Sequence, residues 1–185
     1  METERNQNQP EQTNSEKRML TGMFADRESA EKAYNSLHER GYTKDDINLI
    51  MSDETRKKQF SQDVKETEIG TKAAEGAGKG SAIGGTVGAI VGVVAALGTS
   101  LVIPGLGLLV AGPLAAGLAG AGAGGIAGGV IGALVGSGIP EERAKVYESG
   151  VKEGHIVMGV HPRNDEDANY IEKSWRENRG EEIYR

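Results

Sequence analysis

The sequence predicts an α+β fold in which a small antiparallel sheet is interrupted by a long apolar insertion. Apolar runs suited to strands alternate with amphipathic helical stretches in both flanks of the chain. Between them, the stretch from Gly80 to Pro140 contains no Asp, Glu, Lys, Arg or His. The 185 residues therefore divide into two charged flanks and one uncharged middle.

The first half of the sheet domain, residues 18–53, has the pattern of a βαβ unit. An apolar run at 19–24 suits a strand, and Asp26 is a good N-cap for an amphipathic helix over 27–40. A second apolar run at 47–51 predicts another strand. Strand, helix and strand in this order predict two parallel strands joined by a right-handed crossover.

The second half of the domain, residues 141–185, repeats this order after an opening helix. A helix is expected over 141–152, a strand over 155–161, a helix over 165–178 and a short strand over 182–184. Two βαβ units in series predict a ferredoxin-like arrangement, with four antiparallel strands and two helices on one face. The link between its second and third strands then carries about a hundred inserted residues, and it must leave the domain and return to it.

The insertion contains two rows of glycine at every fourth residue. Residues 54–79 form a charged linker with weak helical character, and residues 80–140 form the apolar segment. A residue without a side chain at i, i+4 and i+8 leaves a groove that lets a second helix approach closely. We therefore predict a glycine-zipper helical hairpin whose packing and oligomerisation positions are Gly76, Gly80, Gly84, Gly88, Gly92, Gly120, Gly124, Gly128, Gly132 and Gly136.

A cluster of helix-breaking residues near the middle of the apolar segment predicts the turn between the two helices. Proline cannot continue a helix, and the neighbouring glycines favour a turn. The expected turn residues are Pro104, Gly105, Gly107, Gly112 and Pro113. The last of these can open the second helix, because proline is tolerated in a first helical turn.

Composition excludes several classes of function. The formal net charge of −6 lacks the basic character that nucleic-acid binding requires. The chain has no cysteine, which removes disulfides, thiolate zinc sites and cysteine nucleophiles. Residues 1–17 are polar and are expected to be a disordered tail without the apolar region of a classical signal peptide.

No motif predicts catalysis, a metal site or a cofactor. Residues 120–125 match a GxGxxG pattern, but no strand precedes them, as a dinucleotide fold would need. His155 and His161 lie at the two ends of one predicted strand, too far apart to share a metal ion. The acidic run at 165–167 is explained by the start of a helix, where carboxylates are favourable. We expect no enzymatic activity and no cofactor, and the sequence identifies no small-molecule ligand.

Two functions remain open for the apolar hairpin, whose helices are apolar around most of their circumference and must be covered by something. In the first, the hairpin enters a lipid bilayer, and the protein is anchored in the cytoplasmic membrane with its sheet domain in the cytoplasm. In the second, the partner is other copies of the protein, and the chain is a cytoplasmic homo-oligomer that acts as a scaffold or protects other molecules.

Over about residues 19 to 161 the order of sequence blocks resembles bacterial general stress proteins of the heat-induced YflT-like type. The residues that carry the resemblance are Gly22-Met23-Phe24, Ala30, Ala33, Leu37, Ala111-Gly112-Pro113, the run Gly138-Ile139-Pro140-Glu141-Glu142, Tyr147 and Gly154. The resemblance implies a stress-induced bacterial protein without an assigned enzymatic activity, and it supplies no catalytic residues. This chain departs from the pattern in its polar N-terminal tail and in the helix and strand at its C-terminus.

Overall fold

The computed structural model describes residues 18–60, 101–103, 107–120 and 129–185. Its strands are β1 (Leu20–Phe24), β2 (Ile47–Ser52), β3 (Leu101–Ile103), β4 (Leu108–Ala111), β5 (Ile156–Val160) and β6 (Glu181–Tyr184). Its helices are α1 (Arg27–Glu39), α2 (Pro113–Gly120), α3 (Gly129–Gly136), α4 (Glu141–Glu153) and α5 (Asp165–Glu177), and residues 53–60 are also helical. The predicted α+β class is confirmed.

The strands form one antiparallel sheet in the order β3-β4-β2-β5-β1-β6. β5 lies between β1 and β2, which are therefore parallel to each other, as a βαβ unit requires. In the same way, β1 lies between β5 and β6. β5, from the second half of the chain, therefore lies between the two strands of the first βαβ unit. β1, from the first half, lies between the two strands of the second.

The expectation of four strands is wrong, because the described part of the sheet has six. β3 and β4 form a hairpin, and β4 pairs with β2 from Leu49 opposite Ala111 to Ser52 opposite Leu108. These strands lie where the sequence predicted a turn between two helices. A short apolar run bounded by glycine fits a buried strand as well as a helix segment, so periodicity alone could not separate the two.

The boundaries of α1, α4 and α5 agree with the predicted ones to within one residue, and their caps explain why. Asp26 accepts a hydrogen bond from the backbone N–H of Ser29 at 2.9 Å, as expected of an N-cap. Asn164 caps α5 in the same way through the N–H of Asp167 at 2.7 Å. Gly154 ends α4 in the left-handed conformation, with φ of 103°, which glycine adopts without strain.

One face of the sheet is covered by α1 and α5. Trp175 of α5 is fully buried and meets the ring of Phe24 edge to face, with 5.6 Å between centroids. A Cβ atom at Gly22 would lie 2.8 Å from the Trp175 ring, so this glycine lets the indole approach the strand backbone closely. Phe60, in the helical segment after β2, joins the same core.

The other face of the sheet is covered by α2, α3 and α4. The apolar residues of this second core are Met19, Met23, Ile50, Leu108, Val110, Leu114, Ala115, Leu118, Val130, Ala133, Leu134, Ile139, Ala144, Tyr147, Val151 and Val157. The hydroxyl of Tyr147 donates to the backbone oxygen of Glu182 at 2.6 Å and lies 2.9 Å from the hydroxyl oxygen of Thr21. Part of the apolar segment is therefore a structural layer of the sheet domain.

Candidate interaction surface in the apolar segment

The apolar segment is anchored to the sheet by one buried side chain on β2. Asn48 is 1% exposed, and its Oδ1 accepts a hydrogen bond from the backbone N–H of Leu114 at 2.8 Å. Its Nδ2 donates to the backbone oxygen of Gly159 at 3.3 Å. The first N–H groups of a helix have no partner within the helix. Asn48, on β2, therefore acts as a side-chain cap for the N-terminus of α2, where the preceding residue, Gly112, has no side chain that could do so.

Gly112, at the junction of β4 and α2, is required by the same anchor. Its φ is +88°, and a Cβ atom there would lie 2.1 Å from the backbone oxygen of Ile47. Backbone meets backbone at this point, so a side chain has no room and no favourable conformation. The close approach places the start of α2 next to Asn48.

The predicted turn residues are consequently divided between two places. Gly107 precedes β4 in the β3–β4 turn, with φ of +60°, and its backbone oxygen accepts from the N–H of Asp53 at 2.7 Å. Gly112 and Pro113 lead from β4 into α2, and Pro113 opens that helix as predicted. Pro104 and Gly105 lie outside the described residues. Where described, the turn of the expected helical hairpin is thus a β-hairpin followed by a helix start.

α3 buries one side against the domain and leaves the other side open. Val130, Ala133 and Leu134 face the second core. Gly132 and Gly136 are exposed, and a Cβ atom at either would meet nothing within 4 Å among the described residues. Val135 lies on the same side and is 42% exposed.

The structure describes three of the predicted zipper positions, which are Gly120, Gly132 and Gly136. It does not bring Gly132 or Gly136 against another described helix. The remaining positions, namely Gly76, Gly80, Gly84, Gly88, Gly92, Gly124 and Gly128, lie outside the described residues. The contact between the two glycine rows therefore stays a prediction.

α2 repeats the arrangement of α3 on a smaller scale. Leu114, Ala115 and Leu118 are buried in the second core, whereas Ala116 and Gly117 are exposed. Neither α2 nor α3 contains a charged residue. An exposed helix face normally carries polar and charged side chains, so these two uncharged faces are unusual. Across the described ranges, no helix is long and apolar enough to span a bilayer.

A polar cluster that sequence reasoning missed joins the loop after α1 to the loop after β5. The buried carboxylate of Asp167 accepts a hydrogen bond from the hydroxyl of Tyr42 at 2.8 Å, and that hydroxyl accepts from the N–H of Arg163 at 3.0 Å. The Arg163 guanidinium lies over the Tyr42 ring, 4.2 Å from its centroid. Burial raises the pKa of Tyr42. Each polar group here has a partner inside the cluster, which indicates a clasp between loops. Tyr42 and Arg163 are 121 positions apart in the sequence, and no local sequence pattern predicts that they pair.

His155 and the acidic residues considered in the sequence have structural partners. The Nδ1 atom of His155 lies 3.0 Å from the backbone oxygen of Gly150, at the end of α4. The acidic run 165–167 opens α5, as expected. Within the described residues, no group of three or more His, Asp or Glu side chains could hold a metal ion. A shallow groove on α5 is lined by charged side chains that pair along the helix, such as Arg176 with Glu172 at 2.5 Å.

One buried hydroxyl has no partner in the described part of the chain. Tyr34 of α1 is fully buried, and its hydroxyl oxygen makes no hydrogen bond there. Burial raises the pKa of Tyr34, and the nearby carboxylate of Asp45 raises it further. The ring packs edge to face on His38, with 4.8 Å between centroids. Tyr34 belongs to the hydrophobic core that α1 forms with one face of the sheet.

No protein-family model, no curated protein and no solved structure matches this chain. The resemblance to general stress proteins accordingly stays a prediction from the order of sequence blocks.

Proposed function

We propose that this protein is a non-enzymatic general stress protein that associates with further copies of itself through its glycine-rich apolar segment. The observation that carries the proposal is the pair of exposed, uncharged faces on α2 and α3, opposite the sides that anchor these helices to the sheet. The assembled protein would act in the cytoplasm as a scaffold or a protective particle.

The proposed core of each copy is a ferredoxin-like domain with an added hairpin. The order β2-β5-β1-β6, with α1 and α5 on one face, matches the strand order of two interlocked βαβ units. β3 and β4 extend it on the β2 side. This core provides a rigid base from which the apolar segment is displayed.

Self-association is favoured because the open faces are made of small residues. Gly132, Gly136 and Gly117 leave open space where a Cβ atom would lie. Such surfaces allow two backbones to approach closely, and the buried apolar contact then drives association. The uncharged stretch from Gly80 to Pro140 carries no like charges that would oppose contact between copies.

Association with a lipid bilayer is the second candidate. It is favoured by the length of the uncharged stretch, which exceeds what a single crossing needs. In this version, residues of the apolar segment enter the cytoplasmic membrane and the sheet domain lies on the cytoplasmic side. The lysines before the segment, among them Lys57 and Lys58, fit such an orientation.

Fractionation of bacterial lysate separates the two candidates. Ultracentrifugation of the native protein is followed by washing of the pellet with high salt and then with detergent. We expect the protein in the supernatant as a particle much larger than 19.5 kDa. Release from the pellet by detergent alone would support the membrane candidate, and a monomer in the supernatant would contradict both.

A variant tests the glycine rows directly. Replacing Gly84, Gly88, Gly124 and Gly128 with leucine keeps the segment apolar and blocks close approach, so the particle should become smaller or dissociate. The matched control replaces Gly85, Gly98, Gly122 and Gly125, which lie outside the rows, with the same residue. Equal particle sizes for the two quadruple variants would contradict the role of the rows.

A further inference from the structure

Among the strands whose side chains the structure describes, the C-terminal strand β6 is the least buried. Its four residues are exposed or half-buried, whereas all residues of β1 and β5 are buried. Two residue pairs join it to β1, namely Thr21 opposite Tyr184 and Met23 opposite Glu181. Between these pairs β6 has two residues and β1 has one, so β6 contains a β-bulge. A short and interrupted ladder therefore joins β6 to the sheet.

The backbone of β6 and of the turn before it contains two unfavourable conformations. Arg179, in the turn after α5, has a φ of +61°, and Glu182, in the bulge, has a φ of +49°. They are the two non-glycine residues with positive φ in the described part of the chain. A side chain disfavours this left-handed conformation, which persists only where surrounding contacts hold it. The closed position of β6 therefore depends on the side chains that hold it.

Side chains from two helices hold β6 in place. Arg143 of α4 forms an ion pair with Glu182 and lies over the ring of Tyr184, 5.7 Å from its centroid. Asp165 of α5 forms an ion pair with Arg185, the residue after β6. The four charged side chains of these two pairs are each at least 37% exposed. Dissolved ions screen exposed charges, so both contacts weaken as the salt concentration rises.

β6 covers the backbone of β1 and a buried pair of hydroxyl groups. Thr21 is fully buried, and its hydroxyl oxygen lies 2.9 Å from that of Tyr147. The Tyr147 hydroxyl in turn donates to the backbone oxygen of Glu182. On the opposite face, Ile183 packs against the core beside α1 and α5. Opening of β6 would leave the outward N–H and C=O groups of β1 without a strand, and such groups pair with any strand that reaches them.

We propose that β6 is a strap that opens while the rest of the domain stays folded, and that its opening converts β1 into a free edge of the sheet. Segments with few buried contacts open at a lower free energy than the core does. Exposed ion pairs keep the strap closed against its backbone strain, so its opening increases with ionic strength. This motion goes beyond the proposed function, because it takes place within one chain and needs no assembly.

Thiol labelling of the full-length protein tests the local opening, since the chain has no cysteine of its own. Thr21→Cys places a thiol beneath β6, and Val157→Cys places a matched buried thiol on β5, between β1 and β2. A thiol reagent reaches the first when the strap opens and the second when the whole domain unfolds. We expect T21C to react at least about tenfold faster than V157C. Equal rates would overturn the strap.

Two perturbations test the role of the ion pairs. Raising NaCl from about 0.05 M to about 0.5 M should increase the ratio of T21C to V157C labelling rates by about 1.5- to 5-fold. Arg143→Gln in the T21C protein should give a similar increase at low salt. The matched control is Arg176→Gln, which removes an ion pair with Glu172 within α5 and should leave the ratio unchanged. A ratio that responds to neither salt nor Arg143→Gln would overturn the control by ion pairs.

Amide hydrogen exchange of the unmodified protein tests the strap without any substitution. The protected amides of β6 should exchange through an opening that urea promotes weakly, because little surface becomes exposed. The amide of Val157 should exchange through global unfolding, which urea promotes strongly. The same urea dependence for β6 and Val157 would overturn the strap, whatever the labelling rates of the cysteine variants.

Discussion

Replacing Asn48 with alanine should release the apolar segment from the sheet. The side chain joins three parts of the fold, since it lies on β2, accepts from the N–H of Leu114 in α2 and donates to Gly159 in β5. Alanine keeps the strand and removes both hydrogen bonds. The N–H of Leu114 and the carbonyl of Gly159 are then left in a buried site without this partner.

The expected loss of stability follows from these two groups. A buried donor or acceptor that loses its partner costs about 1–3 kcal/mol, and the bond to Gly159 is the longer and weaker of the two at 3.3 Å. Together with the small cavity, the free energy of unfolding should fall by about 2–4 kcal/mol. For a chain of 185 residues this corresponds to a decrease in Tm of about 4–16 °C.

Urea denaturation and amide hydrogen exchange measure the effect. Unfolding curves give the change in free energy, and exchange at the Leu114 amide reports whether the cap is lost. Asn169→Ala is the matched control, because this exposed asparagine accepts only a surface hydrogen bond from Arg185 at 2.9 Å. The control should change stability by less than about 0.5 kcal/mol. An Asn48→Ala protein that is equally stable, with unchanged Leu114 protection, would refute the anchor.

Four further predictions concern backbone and buried hydroxyl groups. Gly112→Ala should lower the free energy of unfolding by more than Gly107→Ala, because both have positive φ but only Gly112 touches backbone; equal losses in urea would contradict this. In protein dilute enough to be monomeric, Gly132→Ala should stabilise α3 by about 0.5–1 kcal/mol by thermal denaturation, because the position is helical and open in the single chain, and a loss would show that another part of the same chain covers it. Tyr147→Phe should cost about 1–3 kcal/mol, since it leaves the buried hydroxyl of Thr21 without this partner, and unchanged urea curves would count against that bond. Burial raises the pKa of Tyr34 above its unfolded value, so its contribution to stability is complete below pH about 10 and is lost as pH rises further. Tyr34→Phe should reduce this alkaline loss, measured as the free energy of unfolding between pH 8 and pH 11, and an equal slope would exclude Tyr34 as its source.

The elements of the two flanks could be predicted from sequence because their signals are local. Asp26 begins α1, Gly154 ends α4, and the apolar spacing of α5 places Trp175 in the core. Each signal acts within one or two turns of the chain. Capping and amphipathic periodicity are therefore readable from one sequence.

The apolar segment could not be predicted in the same way. Its residues are uniformly apolar, so β4 and α2 differ in structure without differing in hydrophobic pattern. What separates them is their tertiary contacts. β4 is a strand because it pairs with the open edge of β2, and α2 starts where Asn48, 66 residues earlier in the chain, supplies its cap.

The sequence predicted which residues form the candidate surface, but it did not predict where that surface lies in the fold. The glycine spacing identified Gly132 and Gly136 as residues on one helix face, and no described residue covers this face at either glycine. The edge strand β3 had no separate signal, because its three residues continue an apolar run. Edge position depends on the order of strands in the sheet, which a single sequence does not display.

The interlocked order of strands has a consequence for the folding of the protein during its synthesis on the ribosome. β1 and β2 are made first, yet β5, the strand that pairs with both, begins at Ile156, about 100 residues after β2 ends at Ser52. At roughly 5–20 residues per second, translation leaves these two strands without that partner for roughly 5–20 s. The whole uncharged stretch emerges during this interval. A nascent chain of this protein therefore passes through a period of exposed apolar surface that lasts at least until β5 is made.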